Sequence, residues 1–380
     1  MRPRVVVLRG HQVNPWELRP WQELRDDYDV TYLRTGSGWF DDSNLAVEGR
    51  PVRALRDVLP EGRLGDAAVR VPGDRYLGLS RRLQGADIVH SQELGYWYSM
   101  QAARQKPRMG FRLVLTVWET IPFLGAYRNA RTRHYRKIVL RHTDLYLAAT
   151  ERARGALLLE GVPDERIRVA APGVDLDRFR RGSSASSDEH LIVSPGRLVW
   201  EKGHQDVLRA VAALRRGVVG ADTDASTVRV LIVGRGPDEE RLRRYANELG
   251  VGDVVELRSF VPYDQMPGVF ASASCIVLAS LPTWSWEEQF GMVLAEAMAS
   301  DVPVISTTSG AIPEVVGRNV VTVAPGDWWA LARALAEGPL AQPPGRRAGH
   351  DAERVAVYGV QAAAERLRSA YDEVLSEGRP

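Results

Sequence analysis

The stretch His190-Leu191-Ile192-Val193-Ser194-Pro195-Gly196-Arg197-Leu198-Val199-Trp200-Glu201-Lys202-Gly203 opens the second half of a 380-residue chain. Its first residues form a short apolar run with little polar alternation, which reads as a strand buried on both faces. Gly196 then lets the backbone approach a neighbour closely. Over 204–216, Val207, Leu208, Val211 and Leu214 recur at spacings of three and four, with Arg209, Arg215 and Arg216 off that stripe. That is the period of an amphipathic helix. The stretch is therefore a strand, a turn and a helix, one unit of a parallel α/β sheet.

The same unit repeats along the chain. In the first half, apolar runs fall at Arg4–Leu8, Val30–Leu33, Asp87–His90, Leu113–Trp118, Asp144–Ala149 and Ile167–Ala170. In the second half they fall at His190–Ser194, Val228–Gly234, Val254–Leu257, Ser274–Ser280, Val302–Thr307 and Val320–Val323. Helical stretches lie between them, as in 238–249, where Leu242, Tyr245, Ala246 and Leu249 share a face. Repeated strand–helix units predict two doubly wound sheets, one per half. Gly182-Ser183-Ser184-Ala185-Ser186-Ser187 has nothing to bury and marks a linker. The reading gives an N-terminal domain over 1–180 and a C-terminal domain over 181–360. Over 361–380 it gives a final helix packing back towards the N-terminal domain.

Composition limits the function classes. With 44% apolar and 26% charged residues, the chain can build ordinary cores. Its single cysteine, Cys275, excludes an intramolecular disulfide and sits in an apolar run, where a buried strand residue is expected. No stretch approaches the roughly 18 apolar residues of a membrane span, and Val5–Leu8 is too short for a signal peptide. A cytoplasmic location is the default expectation. Net charge is +2, but residues 1–180 hold 30 Lys and Arg against 22 Asp and Glu, and 101–150 hold 10 against 2. That asymmetry suits an anionic acceptor or contact with the inner face of an anionic membrane, through Arg131, Arg133, His134, Arg136 and Lys137. Near-balanced charge and the lack of a nucleic-acid motif argue against nucleic acid as a partner.

Three segments carry chemistry. Arg197 and Lys202 stand five apart between a strand end and a helix, and a guanidinium fork with an ammonium point charge suits a diphosphate. Val233-Gly234-Arg235-Gly236-Pro237 resembles the start of a dinucleotide fingerprint, but Glu239 occupies the third glycine's place, so hydride chemistry is poorly supported. Glu287-Glu288-Gln289-Phe290-Gly291-Met292-Val293-Leu294-Ala295-Glu296 predicts a helix starting near Gly291. Its free N–H groups would face whatever Glu288 addresses.

Together these pieces resemble the retaining glycosyltransferases of family 4, most clearly over 165–317. The resemblance includes Ala171-Pro172-Gly173-Val174-Asp175-Leu176-Asp177-Arg178-Phe179 ahead of the linker. It also includes Gly196-Arg197 with Glu201-Lys202-Gly203, the Glu288 and Glu296 element, Asp301-Val302-Pro303-Val304-Ile305, and Gly310-Ala311-Ile312-Pro313-Glu314-Val315-Val316. It implies the GT-B fold: two facing Rossmann-like domains with parallel sheets and a cleft between them. It implies transfer of a hexose-type sugar from a nucleoside diphosphate to a lipid, glycan or small-molecule acceptor, with no cofactor and no metal. Arg197 and Lys202 would bind the diphosphate and Glu288 the sugar hydroxyls, these three being the catalytic candidates. Phe290, Gly291, Met292 and Val293 would contact sugar and phosphate, and Glu296 the ribose. Arg258, Phe260 and Val261 would border the base, and Gly10, Gly196 and Gly234 would approach the donor through their backbones. Retention in the family is discussed as front-face attack within an ion pair, without a covalent nucleophile.

The acceptor side departs from the family pattern. Where many members carry histidine after the Leu113–Val117 run, this chain has Trp118 followed by Glu119, leaving His11 and His90 as further acceptor-side candidates. Trp284 and Trp286 precede Glu288 and are candidates for shaping the sugar pocket. Asp175-Leu176-Asp177 and Asp222-Thr223-Asp224 imitate a metal-binding pair but read as surface turns. The competing functions are a nucleotide-sugar epimerase of the same shape and a non-catalytic nucleotide-sugar-binding subunit. An epimerase would convert the donor without an acceptor; a binding subunit would hold nucleotide without transfer.

Overall fold

The computed structural model describes residues 1–10, 13–36, 45–60, 62–70, 73, 75–125, 129–180, 188–219, 227–259 and 261–377. His11, Phe260, the serine-rich stretch over 182–187, and Asp222 with Asp224 lie outside them. Met1–Gly173 together with Gly359–Pro380 form one compact unit, and Val174–Tyr358 form a second.

The first unit holds seven strands: β1 (Arg4–Val7), β2 (Asp29–Arg34), β3 (Glu48–Pro51), β4 (Ile88–Gln92), β5 (Arg112–Val117), β6 (Leu145–Ala148) and β7 (Ile167–Val169). They pair in parallel in the order β3-β2-β1-β4-β5-β6-β7. The second holds six: β8 (His190–Pro195), β9 (Val228–Val233), β10 (Val255–Arg258), β11 (Cys275–Leu278), β12 (Val304–Thr307) and β13 (Val321–Val323). Their order is β10-β9-β8-β11-β12-β13, again parallel. Each sheet starts in its middle, winds to one edge and returns to wind the other way. The direction reverses between β1 and β4, and between β8 and β11. In such sheets the crevice outside the strand carboxyl ends at that reversal is where ligands bind.

Burial on both faces explains the unbroken apolar runs. In β1, Val6 and the following Leu8 enter one core cluster, while Val5 and Val7 enter another on the opposite face. The second cluster is closed by the helix Val360–Ser376, through Ala364, Leu367, Tyr371 and Val374. In the second unit Ile192, Val230, Ile232, Val277 and Ile305 pack with the helices His204–Arg215 and Trp328–Glu337, and Cys275 is fully buried among them.

Two features differ from the sequence expectation. The first boundary falls ahead of the serine-rich stretch, because Leu176–Arg180 is a short helix that packs into the second unit. Its Phe179 is buried, with its ring 5.5 Å from that of Phe270. Strand β3 carries the sequence Glu-Gly-Arg-Pro with no apolar residue outside Pro51 and escaped detection. It pairs only with β2, and an edge strand exposed on one side needs neither an apolar run nor every N–H, which also lets it hold a proline. Among the described residues, no helix is long and apolar enough to cross a membrane.

Candidate functional site

The reversal point of the second sheet gathers the strongest sequence candidates. The turn after β8 carries Arg197 and leads to a short helical turn, Trp200–Lys202. Gly203 ends that turn at φ +71°, and a Cβ there would lie 1.8 Å from the Ala279 carbonyl oxygen just beyond β11. Only glycine lets this backbone come so close, and the contact fixes where Lys202 projects. On the other side, a Cβ on Gly310 (φ +56°) would fall 2.1 Å from the Glu288 carbonyl oxygen, and Ala311 donates its N–H to that oxygen at 2.8 Å. The two turns bring Lys202 and Glu288 together from opposite sides of the reversal.

Lys202 Nζ donates to Glu288 Oε2 at 2.7 Å, and Ser280 Oγ donates to the same oxygen at 2.6 Å. Both charged side chains are largely buried. Lys202 Nζ also lies 4.8 Å from the centre of the Trp286 ring, a cation–π distance. Arg197 is different: its side chain is 63% exposed and meets Glu201 at 3.9 Å. Beneath the turn, buried His204 holds the Arg197 backbone. Its Nε2 meets the Arg197 carbonyl at 3.1 Å, so that nitrogen carries the proton, and its Nδ1 accepts from Ser194 Oγ at 2.9 Å. Burial pushes its pKa down to about 4, keeping the ring neutral.

The helix Met292–Ala299 begins directly after Gly291, its N-cap at φ +79°. Met292 and Val293 are half-buried at its first turn, where unpaired N–H groups and the helix dipole favour an anion. Glu296, one turn further on, is 4% exposed and accepts from Tyr263 Oη. Burial pushes its pKa up to about 7, against the lowering effects of Tyr263 and Arg178. The Arg178 guanidinium stacks 4.6 Å from the Tyr263 ring, making a cluster of Glu296, Tyr263 and Arg178. Gly196 and Gly234 adjoin at the ends of β8 and β9: a Cβ on Gly234 would meet the Gly196 carbonyl oxygen at 1.8 Å. Gly234 N–H donates to the Arg258 carbonyl at 3.0 Å, which brings the end of β10 alongside. The Arg258 side chain itself is spent on Glu256, at 2.7 Å. Phe290 is buried with its ring centre 5.3 Å from that of Tyr358.

Sequence reasoning missed Ser280, Tyr263 and His204. None belongs to a spacing pattern; each is defined by the carboxylate, carbonyl or hydroxyl that the fold brings to it.

In the first unit, Gly10 follows β1 at φ +65°, and its N–H donates to Tyr76 Oη at 2.8 Å. Trp118 and Glu119 follow β5. Trp118 N–H donates to Glu93 Oε1 at 2.7 Å, and Glu119 Oε1 accepts from Ile121 N–H at 2.8 Å. His90 corrects an expectation. It is fully buried, with Nδ1 2.6 Å from Tyr371 Oη and Nε2 2.7 Å from Thr116 Oγ1, so both ring nitrogens are committed to the core. The basic helix Ala130–His142 likewise turns one cation inward, where buried Arg136 pairs with Glu160. Asp175 accepts from the Arg178 N–H at 3.3 Å, the role of a helix-capping turn residue.

Two parallel sheets of this strand order, with a cation, a carboxylate and a helix start at the reversal of the second, define a protein of the nucleotide-binding α/β class. Residues 175–343 match the family described as Glycosyl transferases group 1, and residues 22–178 match Glycosyltransferase Family 4. The chain belongs to the family 4 glycosyltransferases, of GT-B fold. The D-inositol 3-phosphate glycosyltransferase of Corynebacterium jeikeium is 29% identical over 333 residues, 77% of this chain and 73% of that protein. A protein of Salmonella typhimurium named for colanic acid biosynthesis is 32% identical over 210 residues, 54% of this chain, and the chain spans half of its length. The crystal structure of Anabaena HepE in complex with UDP superposes with a TM-score of 0.73 at 16% identity, over 99% of this chain and 100% of that one.

Proposed function

We propose that the protein transfers a hexose from a nucleoside diphosphate to an acceptor hydroxyl with retention of anomeric configuration and without a metal. The observation that carries this reading is the meeting of Lys202, Glu288 and Ser280 beside the start of the helix Met292–Ala299. Breaking the bond between the anomeric carbon and the diphosphate leaves negative charge on the departing phosphate and oxocarbenium character on the sugar. Lys202, the exposed Arg197 and the N–H groups at Met292 and Val293 supply positive potential for that charge before the reaction starts. Ser280 orients the Glu288 carboxylate, which accepts hydrogen bonds from sugar hydroxyls. Glu296 accepts from the ribose hydroxyls, exchanging its bond to Tyr263 for one to the nucleoside. The acceptor oxygen attacks the face the leaving group vacates, and its proton passes to the departing phosphate oxygen.

The UDP held by HepE supports a uridine donor, and the inositol phosphate relative supports a small polyol phosphate among the acceptors to try first. The test is turnover of UDP- and GDP-hexoses across an acceptor panel, with a chelator present. Arg197→Ala and Glu288→Ala should each abolish transfer while circular dichroism stays native. Undiminished transfer in either, dependence on a divalent metal, or donor conversion without any acceptor would contradict the reading.

A further inference from the structure

The first unit contains a cavity of its own. At the carboxyl end of its sheet lies a cavity of about 50 Å³, bordered by Arg9, Glu17, Trp21, Thr116, Trp118 and Leu367 and otherwise apolar. Arg9, two residues beyond β1, is only 5% exposed. Its Nη1 donates to the carbonyl of its own neighbour, Leu8, at 3.1 Å, and its guanidinium carbon sits 4.9 Å from the Trp21 ring centre. Among the described residues its buried Nε has no hydrogen-bond partner. Its Nη1 thus bonds only within its own loop, yet Arg9 carries a charge out of water, which is costly unless something answers it. A stacked indole answers one face of the guanidinium only.

The internal candidate, Glu17, answers it through space but without a hydrogen bond. Glu17 borders the same cavity and feels the Arg9 charge, but its carboxyl engages Asn14 Nδ2, at 3.5 Å. Burial pushes the Glu17 pKa up, against the lowering effects of the Arg9 charge and the Asn14 hydrogen bond. His90 adds no charge, since both its nitrogens are engaged and burial pushes its pKa down. The cavity thus offers a buried guanidinium fork, an acid and two indole walls, in a volume that admits one small group. A planar or tetrahedral oxyanion is the chemistry that matches such a fork.

We propose that this cavity is an anion subsite of the first unit, in which Arg9 grips a carboxylate or phosphate group carried by the acceptor. The assignment to the acceptor rests on the reading of the second unit as the donor site. The Trp21 and Trp118 rings wall the group. The subsite makes an acceptor bearing one compact anion the preferred class over a neutral sugar.

The experiment is a titration of the full chain with inorganic phosphate and, separately, with acetate, read by tryptophan fluorescence in the presence and absence of saturating UDP. A saturable change is expected with at least one anion and should survive UDP. Tight phosphate binding would point to an acceptor phosphate, and tight acetate binding to a carboxylate. Arg9→Gln should weaken it by at least about tenfold. Ala171→Leu, which fills the cavity from its half-buried wall without stranding a charge, should do the same, and it decides the matter if Arg9→Gln fails to fold. No saturable response to either anion, or unchanged affinity in Ala171→Leu, would overturn the proposal. UDP affinity measured on the same proteins separates the two readings: its loss alone counts against the donor site, and loss of anion binding alone against this one.

Discussion

Lys202 Nζ and Glu288 Oε2, 86 residues apart in sequence, lie 2.7 Å from one another in a largely buried ion pair. A cation expected to hold a diphosphate and a carboxylate expected to hold a sugar are thus mutual partners before any ligand arrives. The pair is locally neutral, and Ser280 supplies the third contact. A bound pyrophosphate would draw on Lys202 and release part of the carboxylate to the sugar, so one ligand engages both groups at once.

This pairing predicts non-additive stability. Removing one member leaves the other buried and uncompensated, so Lys202→Met or Glu288→Gln should each cost about 3 kcal/mol. The double variant should recover a substantial part of that loss, because no stranded charge remains. Urea unfolding of the three variants measures this, and additive losses would show that the two charges do not depend on each other.

Glu296 predicts a particular pH dependence. Its carboxyl moves from the ordinary 4.5 to about 7 on folding, chiefly through burial. The native protein therefore holds a proton that the unfolded chain releases, so the contribution to stability is present below about 4.5 and is lost as pH rises towards about 7. Glu296→Gln should remove this dependence and be more stable than the parent above pH 7, by about 3 kcal/mol at most. Thermal melts across pH 5 to about 8 check the crossover; parallel curves for parent and variant would argue against it.

Gly203 predicts a coupled loss of stability and site geometry. A methyl group there would overlap the Ala279 carbonyl at 1.8 Å, at a backbone φ of +71° that alanine resists. Gly203→Ala should cost at least about 2 kcal/mol and displace Lys202. Donor binding should then weaken even at temperatures where the variant is fully folded, as calorimetric titration with UDP would reveal.

Much of this was legible in the sequence. Runs such as Val5–Leu8 and Cys275–Leu278 announce buried parallel strands because a strand covered on both faces has no polar side to alternate with. The Gly196–Lys202 turn and the Glu288–Glu296 element mark a candidate site because glycine, cations and a helix start recur where anions bind. What stayed hidden is what only three dimensions create. Edge strand Glu48–Pro51 has no apolar run, since one of its sides needs no burial. Tyr371 lies 281 residues from His90, and their hydrogen bond turns an acceptor-side candidate into a core residue. Arg9 belongs to no motif in the sequence; only the fold reveals its burial and an Nε without a partner among the described residues.

The most direct test of the central claim is a crystal structure of the protein soaked with a nucleoside diphosphate hexose. The account predicts the pyrophosphate within about 3 Å of Lys202 Nζ and of the N–H groups at Met292 and Val293, with a sugar hydroxyl on Glu288 and the ribose on Glu296. A pyrophosphate bound elsewhere, with the Lys202–Glu288 pair intact and untouched, would contradict it.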